Sequence, residues 1–130
     1  MFSLNRITLL GNTGDDAKTV PNGPTTISLA TNVSWKDKQT QERRTRTEWH
    51  QLVIWNDLGK WAASLPKGTP LYVEGELVYE KYPRKVEATV GKKTVEVEVP
   101  TTAAKVKVQR LIRLDAPAEN TSGEEDGEPL

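Results

Sequence analysis

Four segments of this chain, Leu4 to Gly11, Thr25 to Val33, Thr47 to Trp55 and Leu71 to Tyr79, are rich in Ile, Leu, Val, Thr and aromatic residues and run mostly with a period of two. Strand side chains alternate between faces, so this period describes strands, and the Gly, Pro, Asn and Asp clusters between them describe turns. One stretch departs from it. Asp57 to Leu65 sets apolar residues at 58, 61, 62 and 65, the spacing of one helical face, with Asp57 as its cap and Pro66 and Gly68 as its stop. A short helix there plugs one end of a sheet. Further on, Lys85 to Val90 and Thr94 to Val99 alternate around Gly91-Lys92-Lys93, a hairpin turn carrying two lysines. Pro100 breaks the pattern, and Ala104 to Leu114 resumes it as a closing strand. Many short strands with one helix between the third and fourth is the element order of an OB-fold, an all-β, five-stranded Greek-key barrel.

A chain of 130 residues holds one such domain, expected over residues 1 to 114, and a tail over 115 to 130. The formal net charge of zero conceals an asymmetry. The tail carries six acids (Asp115, Glu119, Glu124, Glu125, Asp126 and Glu128) and no base, which leaves 12 acids against 18 bases in the body. Polar and acidic residues with Pro and Gly cannot bury enough surface to order themselves, so the tail is expected to be disordered. No apolar run approaches the ~18 residues that span a bilayer, and the first residues show no charged-then-apolar leader. A cytoplasmic protein without membrane contact is expected. No cysteine and a single histidine leave no thiolate site and little for His-based ligation, so neither a metal nor another cofactor is expected.

Trp49 and Trp55 share one parity of the third segment, and Leu52 and Ile54 take the other. The indoles can be read as barrel core or as platforms on which bases stack; Leu52 and Ile54 supply the better apolar face, which favours stacking. Trp35 shares parity with Ile27 and Leu29, so an unbroken strand would bury it, and only a twist or strand end at Asn32 to Ser34 would expose it. Trp61 falls in helical register with Leu58 and Leu65 and reads as core. Tyr72 and Tyr79 read as packing or edge residues. His50 points away from Trp49, toward the core or a subunit contact, and reads as structural.

Arg6, Lys18, Lys36, Lys38, Arg43, Arg44, Arg46, Lys60, Lys67, Lys81, Arg84 and Lys85 are interleaved with the aromatics along the chain. A phosphate would then lie near each stacked base, with affinity falling as salt rises. Any one lysine is as readily a solvated surface residue; the cluster is not. Lys36 to Arg46 reads as a long, charged and flexible hairpin between the second and third strands.

The stretches N-R-I-T-L-L-G-N (5 to 12), P-N-G (21 to 23), I-S-L-A-T-N-V-S-W (27 to 35), T-E-W-H-Q-L-V-I-W (47 to 55) and K-G-T-P-L-Y-V-E-G-E-L (67 to 77) resemble the bacterial single-stranded DNA-binding protein family in order and spacing. The resemblance covers roughly residues 4 to 82 and resumes loosely at 104 to 114. It implies an OB-fold protomer, usually a homotetramer and otherwise a dimer, that wraps single-stranded DNA without sequence preference in replication, recombination and repair, within the nucleoid. The family's stacking residues match Trp35, Trp49, Trp55 and Tyr82. Arg6, in the N-R-I motif, and Arg43, Arg44 and Arg46 are the favoured phosphate contacts, followed by Lys60 and Lys67.

The chain departs from the family at Gln51, where a base is common, at Val78 and Glu80, in a stretch that is often basic, and in the longer hairpin at Lys92-Lys93. Family tails dock an acidic, apolar-tipped end on genome-maintenance proteins. Here Glu124, Glu125, Asp126, Glu128, Pro129 and Leu130 match that end, with Leu130 where Phe is usual.

An enzyme is disfavoured. There is no Cys, no Ser-His-acid set, and Gly11-Asn12-Thr13-Gly14 lacks the Lys-Ser/Thr continuation of a phosphate-cradling loop. The alternative to a DNA-binding module is an OB-fold interaction subunit of a replication or primosome assembly.

Overall fold

The structure, a computed structural model, describes residues 1–15 and 17–115. The acidic cluster and Pro129-Leu130 tip fall outside the described residues. Among the described residues, six strands and one helix follow in the order β1 (Ile7–Thr13), β2 (Lys18–Thr19), β3 (Thr25–Lys36), β4 (Arg43–Ile54), α1 (Asn56–Ala62), β5 (Pro70–Val90) and β6 (Lys93–Arg113). The sheet runs β1-β5-β6-β4-β3-β2, and β1 pairs again with β3, which closes a five-stranded barrel of β1, β3, β4, β5 and β6. The expected OB-fold architecture with its single helix between the β4 and β5 strands is what forms.

Closure depends on β1 changing partners. From Ile7 to Asn12 it pairs antiparallel with β5, and at Asn12 and Thr13 it pairs with Ala30 and Leu29 of β3. At this switch a Cβ on Gly11 would lie 2.1 Å from the Ala30 carbonyl oxygen, so only glycine allows the two backbones to approach. The first expected strand also starts late. Leu4 to Arg6 stand outside β1, yet Asn5 is tied to β5 by its side chain: Nδ2 donates to the Leu77 carbonyl at 2.8 Å, and Oδ1 accepts from the Leu77 amide at 2.9 Å. The amide side chain makes the two bonds that a strand residue would have made.

Alternation delivers the core. Ile27, Leu29, Leu52, Ile54, Leu71 and Val73 are buried on the inward parity of their strands, and Val106 and Leu111, of opposite parity in β6, both face inward because the ladder shifts register opposite Glu74 and Gly75. Helix α1 lies over one end, with Ala62 buried and Leu58, Trp61 and Leu65 packed against that core. It is shorter than expected and is not capped by Asp57, because the N-cap position falls on Trp55, which makes no side-chain capping bond. Asp57 instead sits in the first turn.

Two hairpins extend past the barrel. The β3–β4 pairing continues to Lys36 opposite Arg43, and its turn is tight rather than long: the Asp37 amide donates to the Glu42 carbonyl at 2.8 Å and the Gln41 amide to the Asp37 carbonyl at 2.9 Å. Asp37 Oδ1 also accepts from the Gln39 and Thr40 amides at 2.8 and 3.1 Å. Beyond a register shift at Glu74/Gly75, the β5–β6 pairing runs without a gap out to Val90 opposite Lys93. Pro100 therefore does not break a strand. It lies directly opposite Pro83, and a directly opposed pair that exchanges no N–H···O bond loses nothing when both residues lack an N–H.

Candidate nucleic-acid interface

The register places the nominated aromatics on different parts of the molecule. Trp49 stands opposite Ala30 on the outer face of β4, 57% exposed, and Trp55 follows the end of β4, 44% exposed. Leu52 and Ile54 beside them are fully buried, as the parity argument requires. Trp35 lies near the tip of the β3–β4 hairpin and Tyr82 on the β5–β6 hairpin, each 42% exposed. Trp35 corrects the sequence reasoning: β3 is unbroken through Lys36, yet the indole is exposed, because at that point the hairpin has left the barrel and no core lies beneath it. Tyr79, expected as a packing or edge residue, is on an edge: it lies past Gly75, where the pairing of β5 with β1 ends, and at 68% exposed it is barer than any nominated aromatic.

One edge of Trp49 is supported. A Cβ on Gly14 would lie 2.4 Å from Cζ3 of that indole, so the benzo edge of the ring lies against the Gly14 backbone. Gly14 is held there by its amide, which donates to the Ser28 carbonyl at 2.9 Å. Gln51, two residues along, donates from Nε2 to Ser28 Oγ at 3.1 Å. His50, on the inward parity, is hydrogen-bonded through Nε2 to Thr31 Oγ1 at 2.9 Å, half-buried between core and surface.

Trp55 separates two grooves. One, of about 940 Å³, lies between Trp55 and the β2–β3 turn and includes Asn22 and Lys60, with Asp57 bordering both grooves. The other, of about 570 Å³, lies between Trp55 and β6 and includes Lys107 and Gln109. Lys107 was absent from the sequence-based candidates, since nothing in the chain order shows that β6 runs parallel beside Val53 of β4. Tyr82 borders a third groove with Lys81, Pro83, Pro100 and Thr102.

The cations divide by partner. Arg44, directly opposite Trp35, reaches Asp37 at 3.0 Å, and Arg46 reaches Glu48 at 3.1 Å. Lys60 stands 3.9 Å from Asp57 and Lys67 4.0 Å from Asp15. The Arg44 pair is exposed on the arginine side and the other three on both sides, so each cation can exchange its carboxylate for a phosphate. Arg43 makes no ion pair among the described residues. Arg6 is drawn elsewhere: it lies 3.9 Å from Glu74, which also meets Arg110 at 3.9 Å and accepts a hydrogen bond from the Tyr72 hydroxyl. That bond to Glu74 holds the Tyr72 hydroxyl pKa above its ordinary value. Glu80, in the stretch that departs from the family, is neutralised by Lys105 at 3.1 Å.

A model of the single-strand binding protein family matches residues 4–110. The chain belongs to that family. Among solved structures, it is similar to a Plasmodium falciparum SSB in complex with ssDNA, at 28% identity over 88% of this chain and 98% of that one, with a TM-score of 0.63. It also shares its fold with a deletion mutant of the Thermus aquaticus single-stranded DNA binding protein (20% identity, 86% of this chain, 51% of that one, TM-score 0.58). A small single-stranded DNA-binding protein of Streptomyces coelicolor has the same fold (18% identity, 85% and 94%, TM-score 0.53). Family membership rests on a match that runs from the N-R-I motif through the β5–β6 hairpin, the part whose resemblance is weakest by eye.

Proposed function

We propose that this protein binds single-stranded DNA without sequence preference, in the replication, recombination and repair of a genome. The observation that carries this reading is the set of exposed indoles at Trp35, Trp49 and Trp55 on a barrel of this family, with Tyr82 on a second hairpin. An exposed indole costs hydration free energy that the fold does not recover, whereas stacking one base on it contributes about 1–3 kcal/mol and works for every base. Arg43, Arg44, Arg46, Lys60 and Lys67 take phosphates beside those rings. Arg6, already engaged with Glu74, contributes less.

The protomer assembles as a homotetramer in this reading, and residues 1 to 114 act as the binding domain, with the acidic tail recruiting genome-maintenance proteins and competing with DNA for basic residues. The site of action is the nucleoid of the cytoplasm. No helix among the described residues is long and apolar enough to cross a membrane.

The test is a binding isotherm on labelled oligo(dT), a mixed single strand and a duplex of equal length, across salt. Comparable affinity for both single strands, far weaker duplex binding and a log-log salt slope of about −0.7 per phosphate contact support the reading. Equal affinity for duplex and single strand contradicts it.

A further inference from the structure

No tyrosine or tryptophan among the described residues is barer than Tyr79, and the stacking account leaves it without a role. The topology explains its bareness. β4 and β6 run parallel, so the β3–β4 and β5–β6 hairpins leave the barrel at one end, while α1, which follows β4, lies at the other. Tyr79 stands on the parity of the buried Leu71 and Val73, but past Gly75, the last residue of β5 that pairs with β1. Its ring therefore takes the core side of β5 where the barrel has already opened. Directly opposite is Ala104, too small to cover a phenol ring, and two residues further on the same face Lys81 stands opposite Thr102. Lys81 makes no ion pair among the described residues. Glu80, between Tyr79 and Lys81, takes the other face and is held by Lys105 at 3.1 Å, so it does not repel a phosphate on the Tyr79 side.

We infer that Tyr79 is a further base platform, at the hairpin end of the barrel, with Lys81 taking the phosphate of the stacked nucleotide. The inference rests on the single-strand reading above and extends its path. Trp49 lies on the outer face of β4 and Trp55 at the start of α1, so a strand that also reaches Tyr79 passes over the hairpin end of the barrel. Trp35 holds the matching place on the other hairpin, on the parity of Ile27 and Leu29, which gives that end two rings rather than one. A phenol offers every base a π-face, and only two residues of strand, about 7 Å, separate it from a lysine whose side chain spans most of that distance.

The experiment measures oligo(dT) affinity across salt for the wild-type protein and for Tyr79→Ala, Tyr79→Phe and Lys81→Ala, with a melting curve and a mass in solution for each. Tyr79→Ala is expected to bind about 5- to 20-fold more weakly, much of one stack, at an unchanged log-log salt slope. Tyr79→Phe should stay within twofold of wild type, because stacking needs the ring and not the hydroxyl. Lys81→Ala should make the slope shallower by about 0.7. No loss in Tyr79→Ala overturns the platform, and so does an equal loss in Tyr79→Phe, which would assign the effect to the hydroxyl. A loss accompanied by a changed mass or a lowered melting temperature overturns it too, since Tyr79 would then serve a protomer contact or the fold. An unchanged slope in Lys81→Ala removes that lysine from the phosphate. If the wild-type protein binds no oligo(dT), the single-strand reading itself falls, so the two failures are told apart.

Discussion

Gly14 and Trp49 are in contact: the space that a Cβ on Gly14 would occupy is taken by the benzo edge of the indole, 2.4 Å from its Cζ3. That edge of the ring is thereby held against the Gly14 backbone while Trp49 stays 57% exposed, which restricts the orientations the indole can take.

Gly14→Ala is expected to displace the indole while the barrel stays folded. Affinity for oligo(dT) should fall about 5- to 20-fold, corresponding to loss of much of one stack of about 1–3 kcal/mol, with the melting temperature within a few degrees of wild type. A Gly14→Ala protein that binds oligo(dT) as the wild type does would mean that the support of Trp49 by Gly14 has no bearing on binding.

Neighbours on β4 should separate binding from stability. Trp49→Ala and Trp55→Ala are expected to weaken oligo(dT) binding with a much smaller loss of stability than a core truncation, because the two residues keep 57% and 44% of their surface in solvent. Leu52→Ala, at a fully buried position, should cost about 2–5 kcal/mol of stability. Urea unfolding of the three variants checks the contrast. Large destabilisation by either tryptophan substitution would assign that indole to the core.

The turn at the tip of the β3–β4 hairpin should respond to acid. The Thr40 and Gln39 amides donate to Asp37, and with Arg44 beside it they hold its carboxyl below the usual carboxylate value of 3.8. A depressed folded pKa means that the contribution is present above the ordinary Asp pKa and is lost as pH falls through the folded value. The local order of Asp37 to Glu42 is therefore expected to persist at neutral pH and to fade below about pH 4. Amide chemical shifts of Gln39 and Thr40 followed through an acid titration report it. In Asp37→Asn those shifts should lose their acid dependence; an unchanged titration would place the effect elsewhere.

Much of this molecule was legible in its sequence, and what was not has physical causes. Period-two segments revealed the barrel strands, and the opposite parities of Trp49 and Leu52 revealed which side of β4 faces water, because both signals are local. Trp35 misled for the same reason: parity says which face a side chain takes but not whether a barrel still lies beneath it. Pro100 read as a break because its partner, Pro83, is identified only by pairing 17 residues away along the chain. Asp57 read as a cap because composition marks a helix start to within a residue or two. The support of Trp49 by Gly14 and the closeness of Lys107 to Trp55 arise from barrel closure and from the parallel β4–β6 contact, long-range facts with no local signature.

The central claim, that the exposed indoles are where bases stack, is tested most directly by tryptophan fluorescence on titration with oligo(dT) at low and high salt, in the wild-type protein and in a Trp49→Phe, Trp55→Phe double variant. The account expects strong quenching in the wild type, a midpoint that moves to weaker affinity as salt rises, and a markedly smaller quench in the double variant. Binding seen by a labelled oligonucleotide without any tryptophan quenching would contradict it.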